Sequence, residues 1–146
     1  MSKQTFLQLI EEARNTLLGL NVSAFGQKSV VRNHGLVVTV LNARKYRKTD
    51  ADHTLDVERQ VITSLKQLHK QIEAVLEAST TAQEASSAYQ IVEATIRFVV
   101  NPLQEGVDKR YKLWPEFENQ KQMYQALLAQ AKNKSVSLPL TDSDLD

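Results

Sequence analysis

No cysteine occurs in this 146-residue chain, which excludes a disulfide framework and any thiolate metal site and fits a reducing compartment. The four glycines are scattered, so no glycine-rich loop is available to cradle a phosphate. Long hydrophobic runs are missing as well. The longest apolar block, Leu36 to Leu41, falls far short of the ~18 residues that a membrane-spanning helix needs. Charged residues interrupt the apolar positions of the opening MSKQTFLQLIEEARNTLLGL and no small-residue cleavage site follows, so this stretch reads as a first helix and not as a secretory signal. These absences lead to an expectation of a cytoplasmic helical domain over residues 1–134, with no membrane association and a flexible tail over 135–146.

Catalytic constellations are equally scarce. His34, His53 and His69 are far apart, and none belongs to the Glu-x-x-His pair that metal sites in helical bundles use. Helical nucleotide-cleaving domains of one common kind place a histidine four to six residues after an arginine. Arg32, two residues before His34, and Arg59, ten before His69, do not fit, although His53 follows Arg47 by six. No acyl-transfer triad can be assembled without arbitrary choices. The expectation is a protein that is not an enzyme and holds no metal or cofactor, with His34 as a buried or half-buried packing residue and His69 as a polar residue at the edge of a helix face.

What is present is an uneven distribution of charge. The net charge is only +1, yet residues 13–49 carry seven cations and no acid: Arg14, Lys28, Arg32, Arg44, Lys45, Arg47 and Lys48. Residues 1–12 sum to −1, residues 50–94 to −5, residues 95–134 to +3 and the tail to −3. Such segregation suits a polyanion on one side of the molecule and a protein neighbour on the other, unless the blocks neutralise one another on folding.

Helical periodicity dominates the rest. Phe6, Leu9, Ile10, Ala13 and Leu17 make the apolar stripe of a first helix ending near Gly19. Val57, Val61, Leu65, Leu68, Ile72 and Leu76 do the same for a long helix over residues 54–79, with Asp50 and Asp52 available to cap it. Thr81-Ala82-Gln83-Glu84 has capping-box spacing and opens another helix, with Ala85, Ala88, Tyr89, Val92, Ile96 and Val99 as its stripe. Pro102 ends or kinks that helix, and Gly106 permits a turn. Pro115 suits the first turn of a last helix bearing Phe117, Tyr124, Leu127, Leu128 and Ala131, with Trp114 as a packing anchor. Residues 29–46 carry two signals. Val37-Val38-Thr39-Val40 favours a strand and Asn33-His34-Gly35 could close a hairpin, but Val30, His34, Val37, Val38, Leu41 and Lys45 also follow a helical step. A lone hairpin would have no third strand, so a helix with Gly35 at a close-packing point is expected. The fold class that follows is an all-α bundle of about five helices.

The chemistry-bearing candidates lie in the basic block. Arg44-Lys45-Tyr46-Arg47-Lys48 sets an aromatic among four cations, a composition able to neutralise phosphates while the ring stacks on a base. Lys28 and Arg32 extend the same block.

The order of features also carries a resemblance. Asn33-His34-Gly35-Leu36 leads into an apolar run, followed by a polar loop, a long helix, and Tyr89 a few residues ahead of a further apolar helix. This arrangement, over residues 28–108, resembles the small all-helical subunit of type III CRISPR RNA-guided effector complexes, the type III-B kind in particular. The chain departs from that pattern where His34 interrupts Asn-Gly-Leu and where a valine-rich run replaces a Leu- and Ala-rich one. The resemblance implies a non-catalytic subunit of an antiviral ribonucleoprotein complex that stacks on copies of itself beside other effector subunits. Its basic face would contact RNA or single-stranded nucleic acid without reading sequence. The competing expectation is a protein–protein adaptor or inhibitor, docking through the acidic helix 54–79 or through Ser137-Leu138-Pro139-Leu140. The latter resembles the end of bacterial sliding-clamp-binding peptides but has Ser135 where those begin with Gln.

Overall fold

The computed structural model describes residues 3–20, 28–33, 36–41, 56–106, 109 and 112–140. They form a helical bundle, the class the periodicity indicates. The elements in order are α1 (Lys3–Leu18), β1 (Lys28–Asn33), β2 (Leu36–Leu41), α2 (Asp56–Ala78), α3 (Ala82–Thr95), a π-helical segment (Ile96–Val100), α4 (Asn101–Gly106) and α5 (Trp114–Ser137).

One buried cluster joins the bundle. Phe6, Ile10, Ala13 and Leu17 of α1 meet Val61, Leu65, Leu68, Ile72 and Val75 of α2, with Ala85, Ala88, Ile91 and Val92 of α3 and Phe117, Tyr124, Leu127 and Ala131 of α5 in the same core. Trp114 packs against its edge, as expected. Helix α3 lies against α5, α1 against α2, and α2 also reaches α5 and α3.

The helix expected over residues 29–41 is a β-hairpin. β1 and β2 pair antiparallel, with Lys28 opposite Leu41, Val31 opposite Val38 and Asn33 opposite Leu36. β-branched residues lose side-chain freedom against the preceding turn of a helix and fit a pleated strand better, and that preference prevails over the helical spacing. A third strand proves unnecessary. β2 runs beside α1 and the π-helical segment, and packing against helices supplies the support that an isolated hairpin lacks.

Three boundaries show how local chemistry sets the elements. Thr81 caps α3, its hydroxyl oxygen accepting from the Glu84 N–H at 3.2 Å. The Glu84 carboxylate reaches back one residue further than a standard capping box and accepts from the Thr80 N–H at 2.9 Å and the Thr80 hydroxyl at 3.0 Å. Pro102 kinks the chain without stopping it. It brings no N–H and its ring would strike the carbonyl four residues back, and the preceding turn is widened so that the Asn101 N–H donates to the Ile96 carbonyl five residues earlier. Pro115 lies in the first turn of α5, where a missing N–H costs nothing.

Helix α5 runs past residue 134, where the bundle was expected to end. α5 continues through Ser137, Leu138 packs against the core, and the Pro139 carbonyl accepts from the Ala82 N–H at 2.6 Å, at the start of α3. Residues 141–146 lie outside the described part. Two residues of the clamp-peptide-like Ser137-Leu138-Pro139-Leu140 stretch are therefore engaged by the bundle itself.

Candidate functional surface

The predicted nucleic-acid contacts divide in two. Lys28 and Arg32 stand four residues apart in β1, opposite Leu41 and Val37. Arg44, Lys45, Tyr46, Arg47 and Lys48 lie outside the described residues, as do His34, Gly35, His53, Asp50 and Asp52. The stretch holding the five falls between the end of β2 at Leu41 and the start of α2 at Asp56. Arg14, the first cation of the basic block, is half-buried on α1, and its Nε has no hydrogen-bond partner among the described residues.

A charged surface that summation along the sequence concealed lies on the outer face of α2. Arg59, Thr63, Lys66, Gln67 and Lys70 are exposed, and Glu73 and Glu77 follow on the same side, because steps of three and four residues return to one face of a helix. The segment reads as acidic in total, but its outer face is basic over the first two thirds and acidic at the end. Among the described residues none of Arg59, Lys66 and Lys70 is paired with a carboxylate. The signal available in the sequence was the order of the charges and not their sum.

Two recesses line the seam between α1 and this face. One, of about 460 Å³, is bounded by Leu9 and Glu12 of α1 and by Thr63, Lys66, Gln67, Lys70, Gln71 and Ala74 of α2. The second, of about 460 Å³, continues past Thr63 to Arg59 and Gly19. The Gln71 side-chain oxygen is buried and has no hydrogen-bond partner among the described residues.

On the opposite side α2 is tied to α5. His69 Nδ1 lies 3.1 Å from Glu73 Oε1 and Nε2 lies 3.3 Å from the Met123 carbonyl, with the ring edge-on to Tyr124 at 5.4 Å between centroids. The Tyr124 hydroxyl donates to the Leu65 carbonyl at 2.6 Å, and burial pushes its phenol well above the usual range. The Lys134 ammonium donates to the Leu76 carbonyl in the last turn of α2, an oxygen that also accepts from the Ser79 N–H at 3.1 Å.

No protein-family model, curated protein or solved structure matches this chain. What the surface does is therefore argued from its own chemistry. Among the described residues no group of three or more His, Asp or Glu side chains could hold a metal ion, and no helix is long and apolar enough to cross a membrane.

Proposed function

We propose that this chain is a nucleic-acid-contacting, non-catalytic helical subunit, of the kind that serves as the small subunit of type III CRISPR ribonucleoprotein effector complexes. The observation that carries the reading is the run of seven cations between Arg14 and Lys48 with no acidic residue from 13 to 49. The position of residues 44–48 in the chain, between β2 and α2, supports it, since a strand gripped there would lie next to two elements of the bundle. Lys and Arg at such a surface neutralise phosphates, so binding is indifferent to sequence and weakens with salt. In an effector complex, specificity would come from guide pairing, and chemistry from other subunits.

Charge reversal at Arg44, Lys45, Arg47 and Lys48 tests this. Retention of single-stranded RNA should fall, and the slope of log affinity against log salt should flatten by about 0.7 for each lost phosphate contact. A slope identical to that of the unaltered protein would end the proposal.

A protein-only adaptor is the second reading, favoured by the exposed carboxylates Glu73 and Glu77 at the end of α2. It predicts no RNA retention at low salt and co-purification with a single protein partner.

A further inference from the structure

The charges on the outer face of α2 follow an order that the helix itself does not favour. Lys66 and Lys70 are like charges four residues apart, and so are Glu73 and Glu77. Both spacings are repulsive within one helix, although Lys70 and Glu73, three residues apart, attract. The last turn of α2 contains Glu77 and no basic residue, the reverse of what the negative end of the helix dipole prefers. All four side chains are exposed, and Glu73 is 53% accessible although it meets His69.

The same order is self-complementary. Lys66 and Glu77 are equally distant from the point between Gln71 and Ile72, and Lys70 and Glu73 are equally distant from it as well. Turning a second copy of α2 through a half-rotation about that point lays it antiparallel on the first. Lys66 then faces Glu77 of the other copy, and Lys70 faces its Glu73. Both pairs occur twice, as any twofold interface requires.

The surroundings fit that occupant. The groove along α1 begins on this face, between Leu9 and Ala74, and offers apolar wall to the long stems of a neighbour's lysines.

We propose that the outer face of α2 is a twofold self-association surface, formed by antiparallel packing of α2 on α2 of a second copy. The proposal is independent of the nucleic-acid reading, which rests on residues 14–48. It also differs from head-to-tail stacking, because a twofold contact closes at two copies whereas a head-to-tail contact continues.

Sedimentation velocity of the full chain, with RNA absent, tests it. At about 50 mM salt the protein should dimerise reversibly, and at about 500 mM the association should weaken, since screening reaches exposed pairs. K66E/K70E makes all four paired positions acidic and E73K/E77K makes all four basic. Each alone should associate at least tenfold more weakly, while an equimolar mixture should recover a dimer. K66Q/K70Q removes the cations without adding repulsion and should also weaken association, with helix content unchanged by circular dichroism. A protein that stays monomeric up to about 1 mM, where even weak pairs assemble, would overturn the proposal. So would growth past two copies, a mixture that stays monomeric, or lysine variants that lose RNA retention but associate as before.

Discussion

Helices α2 and α5 have almost the same length, 23 and 24 residues, and are held in place differently. The inner side of α2 is apolar throughout, with Val61, Ile62, Leu65, Leu68, Ile72, Val75 and Leu76 all buried. Helix α5 buries Phe117, Tyr124, Leu127 and Ala131, and among them Gln120, which is 1% exposed. With fewer large apolar side chains, α5 is positioned by polar ties to carbonyls of α2, from Tyr124 to Leu65 and from Lys134 to Leu76. Burial of apolar area is non-directional, so it fixes that α2 lies inside; hydrogen bonds are directional, so they fix where α5 sits along it.

The largest effect expected from breaking this contrast is on the α2 side. Leu68 is fully buried, and Leu68→Ala should lower stability to urea by about 2–5 kcal/mol through lost transfer energy and the cavity left behind.

On the α5 side, Tyr124→Phe removes one hydrogen bond and should lower stability by about 1–2 kcal/mol. It should also change the pH dependence. The phenol of Tyr124 is held above its ordinary value in the folded chain, so the folded state keeps a proton that the unfolded state gives up. That stabilisation is present below the ordinary phenol range near pH ~10 and is lost as pH rises past it. The unaltered protein should therefore weaken in alkali more steeply than Tyr124→Phe, as measured by urea midpoints between about pH 8 and 11. Equal slopes would show that the hydroxyl ionises as freely when folded as when unfolded.

The smallest effect concerns the corner between the two helices. Thr81→Ala removes the cap of α3 beside the Pro139 contact and should cost about 1 kcal/mol. A loss confined to the first turn of α3 should appear as faster amide exchange at Glu84, whose N–H donates to Thr81.

Much of the fold was legible before any coordinates. The stripes of α1 and α2 correspond to buried residues because an apolar spacing of three and four has one low-energy solution, a helix with that face inward. Thr81 and Pro115 marked helix starts for equally local reasons. The hairpin was not legible as such, since valines at 30, 31, 37, 38 and 40 satisfy both periods and only the neighbouring α1 and π-helical segment supply what a two-stranded element needs. The candidate surfaces divide likewise. The basic block over 13–49 is visible as composition, whereas the face of α2 was hidden by adding charges of opposite sign along a segment whose two ends carry opposite charge.

By itself the sequence determined that this protein is a helical bundle without thiol chemistry and with a cationic stretch over 13–49 that contains no acidic residue, because composition and periodicity act locally and need no partner. Tertiary structure alone decided that residues 28–41 pair as strands, that Leu138 and Pro139 fold back onto the bundle, and that Gln71 is left beside a groove with a buried oxygen unpaired among the described residues. Those outcomes depend on what lies across the chain from each residue, and distance along the sequence carries no record of it.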